Sequence, residues 1–287
     1  MKIKEYKPPA SPDRPAPDGL PTRPFLCSIY ASKGLGKTTL LVNLVEAYQR
    51  QASPFFDKLV IFSPTVQYDE KQEKLLGLCK DVEAYSHFSN DTFVEVLDRI
   101  KEDIADYKDW VRRTEIWRRF QKRGPSALTP DETLDIYLWS GGSFDAPPEP
   151  KFKRFPYTLI ILDDQIGCKD AFSPTIRGPW AQFTILHRHL GCSIIWSTQI
   201  WKQGIPKQIK GNLDLWCFGR NKSEEVMREV AESLTSYAST KEIVRMWEWA
   251  CSKDYGWFVV NLQAKDKSHI FTRDFTEPIP EDVAGRP

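Results

Sequence analysis

The stretch Ala31-Ser32-Lys33-Gly34-Leu35-Gly36-Lys37-Thr38-Thr39 decides the fold of this chain of 287 residues. An apolar run at 25–30 precedes it, and a helical pattern at 40–48 follows it. A strand, a glycine-rich loop with Lys-Thr and then a helix form the context of a phosphate-binding P-loop. Backbone N–H groups of such a loop, and of the helix N-terminus behind it, bind nucleotide phosphates. The sequence therefore predicts an α/β fold of the P-loop NTPase class that binds ATP.

The predicted nucleotide-binding residues are Ser32, Lys33, Gly34, Leu35, Gly36, Lys37, Thr38 and Thr39. Lys37 is expected to reach the β- and γ-phosphates, and the Thr38 hydroxyl is expected to hold Mg²⁺. Ala31 replaces the first glycine of the usual pattern. Alanine is compatible with that position if its φ is negative, because only positive φ strongly favours glycine. The alternative is a glycine-rich turn that carries Lys-Thr without binding phosphate.

A second apolar run, at 157–164, ends in two carboxylates, Asp163 and Asp164. A continuous run of this kind is typical of a strand that is buried on both faces of a parallel sheet. Ligands of α/β folds bind at the carboxyl ends of such strands. We therefore assign Asp163 to Mg²⁺ and Asp164 to catalysis, and expect this catalytic carboxylate on a strand beside the P-loop strand. The alternative is a helix N-cap followed by a first-turn acid.

A third apolar run, at 192–199, ends in Thr198 and Gln199. If it pairs beside the Asp163 strand, Gln199 lies near the γ-phosphate, where it could sense hydrolysis and orient water. The alternative is a polar strand end that faces solvent. The other predicted strands are 57–64, 213–219, 255–262 and 268–275, and the other predicted helices are 91–123, 222–236 and 239–250. Together they predict a RecA-like, mostly parallel central sheet with helices on both faces.

Composition narrows the class of protein. The chain is 41% hydrophobic with a formal net charge of +1, so any nucleic-acid contact depends on local patches or on ring assembly. No run approaches the roughly 18 apolar residues of a membrane span, and the charged, proline-rich start does not resemble a secretory signal. Six scattered cysteines without a C-x-x-C pair favour a reducing compartment. We expect a protein that is not secreted and has no membrane partner.

Proline content and charge suggest the domain organisation. Residues 1–24 hold seven of the 21 prolines and are predicted to be an arm, either disordered or wrapped around a neighbouring subunit. Residues 25–275 form the predicted ATPase domain and 276–287 a tail. An insertion at about 91–156 combines a basic helix, containing Trp110 and Trp117, with an irregular part at 124–156. This helix could contact a nucleic-acid backbone or bases, or be a solvated helix with its Trp face buried.

The order of these motifs resembles a known family. The P-loop, the Asp163-Asp164 strand, His187-Arg188-His189, the strand ending in Gln199, Ile205-Pro206 and Ile209-Lys210-Gly211-Asn212 follow one another along the chain. This arrangement is similar to the genome-packaging ATPases of large double-stranded DNA viruses, the poxvirus-type branch of the FtsK–HerA superfamily. The closing segments 255–260 and 271–273 also resemble the end of that domain. The resemblance covers roughly residues 25–275.

The resemblance implies a homo-oligomeric ring that hydrolyses ATP and translocates double-stranded DNA into a preformed capsid, with a capsid protein as partner. Such a protein would be virion-associated or located at a host cytoplasmic or nuclear assembly site. An arginine of one subunit would reach the ATP of its neighbour and stabilise the transferred phosphoryl group. Arg188 matches that position best, and Arg220 is the runner-up. A cation that favours a helix C-terminus is the alternative role for Arg188.

Lys210 stands where the family leads us to expect an arginine, so a specific arginine role would weaken to a point-charge contact. Together with Lys202 and Lys207 it follows the Gln199 strand, where phosphate contacts of DNA are expected.

Two other functions stay open on the sequence alone. One is a nucleotide-gated assembly or docking protein, and the other is a cellular DNA translocase or helicase of the same superfamily.

Overall fold

The computed structural model describes residues 14–165, 168, 178–201, 205, 207–221 and 223–284. The chain divides into two compact units. The first unit combines residues 1–94 with 157–287, and the second comprises residues 95–156. Among the described helices, none is both long and apolar enough to cross a membrane.

The strands are β1 (Leu26–Tyr30), β2 (Lys58–Phe62), β3 (Asp81–Tyr85), β4 (Thr158–Asp163), β5 (Cys192–Thr198), β6 (Leu215–Phe218), β7 (Phe258–Asn261), β8 (Phe271–Arg273) and β9 (Glu277–Pro278). The helices are α1 (Lys37–Gln49), α2 (Glu70–Leu76), α3 (Asn90–Arg123), α4 (Pro130–Ser140), α5 (Pro179–Leu186), α6 (Lys207–Lys210), α7 (Glu224–Ser233), α8 (Thr240–Ala250) and α9 (Glu281–Ala284). Short 3-10 turns occupy Pro125–Ala127, His187–Leu190 and Lys267–His269.

One nine-stranded sheet organises the first unit, in the order β3-β2-β4-β5-β1-β6-β7-β8-β9. The strands from β3 to β6 pair in parallel, and β7, β8 and β9 extend the sheet antiparallel. Every residue of β1, β2, β4 and β5 is buried, as expected for strands covered on both faces. The predicted α/β class with a mostly parallel central sheet is confirmed.

The expected position of the catalytic strand was wrong in one respect. β4 does not lie beside the P-loop strand, because β5 pairs with both: Ile194 is opposite Leu26 of β1, and Cys192 is opposite Thr158 of β4. The expectation that β5 pairs beside β4 is confirmed. All three strands are continuous apolar runs, so periodicity shows that they are buried but not which of them are neighbours.

The amino-terminal arm, in its described part, packs on its own chain rather than remaining disordered. Arg14 is buried, and its guanidinium pairs with Asp57 at 2.7 Å, donates to the Phe55 carbonyl and lies 4.0 Å from the centre of the Tyr157 ring. The Tyr48 hydroxyl donates to the Pro21 carbonyl at 3.1 Å. From its proline-rich composition the arm was expected to make too few apolar contacts to pack on the domain. An ion pair and hydrogen bonds attach it instead. Residues 1–13 lie outside the described part of the chain.

The second unit is more regular than its sequence suggested. Residues 130–140, predicted to be irregular, form α4. Thr129 caps this helix in a reciprocal capping box with Glu132, and Pro130 occupies the first turn, where proline is tolerated. Several arginines of α3 are engaged within the unit: Arg112 pairs with Asp109 and Asp135, Arg113 with Asp109, and Arg119 with Glu132. These side chains support helix packing, which weakens the case for a nucleic-acid contact there.

Candidate nucleotide-binding site

The loop between β1 and α1 has the backbone that its glycines make possible. Gly34 and Gly36 have φ of 81° and 83°, in the left-handed region that favours glycine. Ala31 is not among the described residues with positive φ, so alanine meets no backbone strain there. Ala31 is fully buried, and a Cβ on Gly219 would lie 2.8 Å from its own Cβ. The glycine missing from the loop is therefore matched by a glycine at the end of β6.

Lys37 begins α1 and turns back toward the loop. It is buried, and its ammonium donates to the Ala31 carbonyl at 3.2 Å. Burial lowers the pKa of this ammonium from its ordinary value, while the nearby carboxylates of Asp164 and Asp163 oppose that shift. The structure thus brings the predicted phosphate-binding lysine close to both predicted carboxylates.

Asp163, the last residue of β4, is held from two sides. Its Oδ2 accepts a hydrogen bond from Gln72 Nε2 at 2.9 Å and one from the Ser63 hydroxyl at 3.4 Å. Only 4% of Asp163 is exposed, and burial raises the pKa of its carboxyl group to about 6. The surrounding side chains hold this carboxylate in a defined position at the carboxyl edge of the sheet.

Asp164, the next residue, leaves the strand with φ of 45°, a left-handed conformation that aspartate tolerates better than most residues. Its Oδ2 accepts a hydrogen bond from Gln199 Nε2 at 2.7 Å, and its backbone N–H donates to the Ser197 carbonyl at 3.0 Å. Its Oδ1 is buried without a hydrogen-bond partner among the described residues. The second carboxylate is therefore oriented through one oxygen and keeps an acceptor on the other.

Helix α2 supplies site residues that the sequence analysis missed. Gln72 is fully buried and donates to Ser63, Thr65 and Asp163, and Lys71 Nζ donates to the Thr39 hydroxyl at 3.0 Å. Ser63 follows β2 directly, so the rule that ligands gather at carboxyl strand ends could have identified it. Gln72 had no such signal, because it lies in a short helix whose position depends on the tertiary fold.

The two candidate arginines lie at opposite edges of the parallel sheet. Arg188 precedes β5 and pairs with Asp214, whose other carboxylate oxygen accepts from the Leu26 N–H at 2.9 Å. This is the amino edge, separated from the P-loop by the length of β1, about 16 Å. Arg220 follows β6 at the carboxyl edge and lines a cavity together with Gly34 and other residues. The structure therefore brings Arg220, but not Arg188, to the P-loop of its own chain.

The lysines expected to contact DNA differ in their surroundings. Lys210 pairs with Glu229 at 2.9 Å, and its ammonium lies 4.4 Å from the centre of the Trp201 ring. Lys202 lies outside the described residues, and Lys207 begins the short helix α6. An engaged Lys210 is less available for a phosphate backbone than a solvated surface lysine would be.

No family model and no curated protein matches this sequence. Solved structures do show similarity. A genome-packaging NTPase, B204 of Sulfolobus turreted icosahedral virus 2, aligns at 13% identity with a TM-score of 0.46, over 85% of this chain and 95% of its own. The pCW3 conjugation coupling protein TcpA aligns at 13% identity with a TM-score of 0.48, over 91% and 62% respectively.

The cytoplasmic domain of the Thermomonospora curvata type VII secretion ATPase EccC aligns at 18% identity with a TM-score of 0.43. That alignment covers 91% of this chain and 27% of EccC.

Proposed function

We propose that this protein is an ATP-driven motor that moves double-stranded DNA into a viral capsid, acting as a ring of identical subunits. One observation carries the enzymatic part: a buried lysine, two carboxylates and a glutamine bound to the second carboxylate converge at one edge of the sheet. Such perturbed, mutually close groups beside a phosphate-binding loop are what phosphoryl transfer requires. The resemblance of the motifs to genome-packaging ATPases supports the proposed roles of DNA and the capsid.

The residues also fit Mg²⁺. The Thr38 hydroxyl and the Asp163 carboxylate are the hard oxygen ligands that this ion prefers, and Gln72 and Ser63 orient the carboxylate. Bound there, Mg²⁺ would neutralise part of the negative charge on the transferred phosphoryl group. We propose Thr38 and Asp163 as its protein ligands.

Asp164 is the proposed catalytic base. Its Oδ1, which has no hydrogen-bond partner in the described part of the chain, would accept a hydrogen bond from an attacking water, while Gln199 holds Oδ2 at 2.7 Å. Lys37 and the loop N–H groups would bind the phosphates and stabilise the developing charge.

The test is the ATPase rate with and without double-stranded DNA, for the wild type, Asp164→Asn and the exposed control Asp282→Asn. We expect DNA to stimulate the wild type and the control, and Asp164→Asn to lose about 100-fold or more while it still binds ATP. An Asp164→Asn rate close to that of the wild type would refute the assignment of the base. Slow hydrolysis indifferent to DNA would favour the nucleotide-gated assembly protein instead.

We further propose that Arg188 acts on the ATP of a neighbouring subunit, because it lies at the edge opposite its own site. Arg188→Ala and Lys37→Ala subunits should each be inactive alone. Mixed together, they should regain activity, since an Lys37→Ala subunit can offer its arginine to the intact P-loop of its neighbour. Absence of any recovery in a mixed ring would refute the role in trans.

A further inference from the structure

A cavity of about 250 Å³ opens beside the phosphate-binding loop. Its lining includes Gly34 and Leu35 of the loop, Arg220 after β6, and Lys253, Asp254 and Tyr255 before β7. Pockets that enclose a whole small ligand usually measure about 300–1,000 Å³, so this one fits part of a larger ligand. Gly34 and Leu35 of the phosphate-binding loop line this cavity, so the part of the ligand that does not fit in the cavity would lie on the loop.

Tyr255 has two properties that packing does not explain. Its side chain is 70% exposed, although large aromatic residues usually bury their rings. Its φ is 59°, which is an outlier for a bulky residue. Strained backbone of this kind persists where neighbours determine it and concentrates at ligand-binding positions. Here the following residue is fixed, since a Cβ on Gly256 would lie 2.3 Å from the Ala250 carbonyl oxygen.

The ring of Tyr255 lies against the loop. A Cβ on Gly36 would be 3.3 Å from Tyr255 Cδ1, so the ring covers the residue just before Lys37. Arg220 is exposed, and one of its guanidinium nitrogens donates to the Cys251 carbonyl at 3.0 Å. A guanidinium has five N–H donors, so others remain available on the cavity side of this contact.

We propose that this cavity receives the base and ribose of the nucleotide whose phosphates the loop binds. The ring of Tyr255 is the surface on which the base stacks, and Arg220 donates hydrogen bonds to the ribose or to the adjoining phosphate. The inference rests on the proposed ATPase function and adds its base-binding residues. Every base presents a π-face, so stacking on one tyrosine gives affinity with little discrimination between bases. ATP and GTP should therefore bind with similar affinity.

The test is calorimetric binding of Mg·ATP and of Mg·tripolyphosphate, which has no base, to the full chain. Tyr255→Gly removes the ring and also relieves the left-handed strain, so the variant should fold. It should bind ATP about 10-fold more weakly than the wild type and tripolyphosphate equally well. Tyr255→Phe, which keeps the ring, should retain most of the affinity for ATP. Tyr237→Gly, at an exposed tyrosine elsewhere, is the matched control.

Two results would overturn this inference. Tyr255→Gly could bind ATP as tightly as the wild type, or it could weaken ATP and tripolyphosphate by the same factor, which would make the tyrosine a support for the loop. If the wild type binds both ligands and Tyr255→Gly binds ATP equally well, only the proposed base site is refuted. If the wild type binds neither ligand, the proposed ATPase function itself is refuted.

Discussion

The two edges of the parallel sheet differ in how their charged groups are satisfied. At the amino edge, Arg14 pairs with Asp57, and Arg188 pairs with Asp214, which also accepts the N–H of Leu26. At the carboxyl edge, the Asp164 Oδ1 is buried with no hydrogen-bond partner among the described residues. These two arginines of the first edge therefore have carboxylate partners within the chain, whereas at the second edge a carboxylate oxygen of the described residues has no partner.

Backbone conformation shows the same contrast around the site. Asp164 and Tyr255, both near the carboxyl edge, are non-glycine residues with positive φ, whereas the residue with positive φ directly before β5 at the amino edge is a glycine, Gly191. Conformations of this kind cost free energy and persist where the fold imposes them. We infer that the Arg14–Asp57 pair of the amino edge contributes stability, and that the carboxyl edge gives up some stability for the proposed binding and chemistry.

The largest expected effect is on stability, and it comes from breaking an ion pair at the amino edge. Asp57→Asn leaves the buried Arg14 guanidinium without its carboxylate, and removing one partner of a buried pair costs about 3–5 kcal/mol of unfolding free energy. Urea unfolding followed by circular dichroism measures this loss. The ATPase rate of the folded fraction should be unchanged, because the pair lies at the edge away from the P-loop.

The double variant Arg14→Met/Asp57→Asn should lose less than Asp57→Asn alone, since no unpaired charge stays buried. Asp282→Asn, at an exposed residue, is the control and should shift stability by about 0.5 kcal/mol or less. A loss below about 1 kcal/mol for Asp57→Asn would contradict the division of roles between the edges.

A smaller effect is expected at the carboxyl edge, where the chain leaves the ends of β1 and β6. Gly219→Ala places a Cβ 2.8 Å from the Cβ of Ala31 and 3.2 Å from the Trp257 ring. Overpacking of this kind costs about 1–3 kcal/mol, and it should also displace the loop and weaken ATP binding. Thermal unfolding and ATP titration measure the two consequences.

Ala31→Gly should restore part of both losses in the Gly219→Ala background, because it removes one of the two clashing methyl groups. The double variant would have the usual glycine at position 31 and the methyl group at position 219, so the two residues would be exchanged. If the double variant is no better than Gly219→Ala, the loop alanine and Gly219 are not coupled, and Trp257 alone sets the cost.

The smallest expected effect is on Mg²⁺ affinity, and it tests how the carboxylate at the carboxyl edge is oriented. Gln72→Leu removes the amide that donates to Asp163 Oδ2 at 2.9 Å. Losing such support for a metal ligand typically costs about 10-fold in metal affinity. The Mg²⁺ concentration for half-maximal ATPase should rise by that factor, with little change in the rate at saturating Mg²⁺.

Lys74→Ala is the control on the same helix, because Lys74 is exposed and pairs with Glu46 of α1 at 3.0 Å. It should leave the Mg²⁺ requirement close to that of the wild type. An unchanged requirement in Gln72→Leu would show that Ser63 alone suffices to orient the carboxylate, and that α2 is only a structural element of the site.

Much of the site could be predicted from local sequence. The loop residues 32–39, the strand ends at Asp163 and Gln199, and the closing strands are all signalled by glycine spacing or by apolar runs that end in polar residues. The capping box before α4 was also visible as Thr129 and Glu132, but the surrounding glycine and proline favoured an irregular segment. These signals are local because the chemistry requires particular side chains at particular strand ends.

Other features could not be predicted, because they depend on residues far apart in sequence. The order of β1, β5 and β4 is set by pairing between similar apolar strands. Gln72 reaches Asp163 across 91 positions, and Arg14 reaches Asp57 across 43. Each contact joins residues that only the tertiary fold brings together.

By itself, then, the sequence determined the glycine-rich loop, its lysine and the two carboxylates that we propose as the site, since each depends on short-range spacing along the chain. Only the tertiary structure decided which strand separates β1 from β4, which arginine shares an edge with the P-loop, and that Gly219 makes room for Ala31. The physical reason is that side-chain period and turn chemistry are local, whereas strand order and packing are settled by burial of the whole sheet.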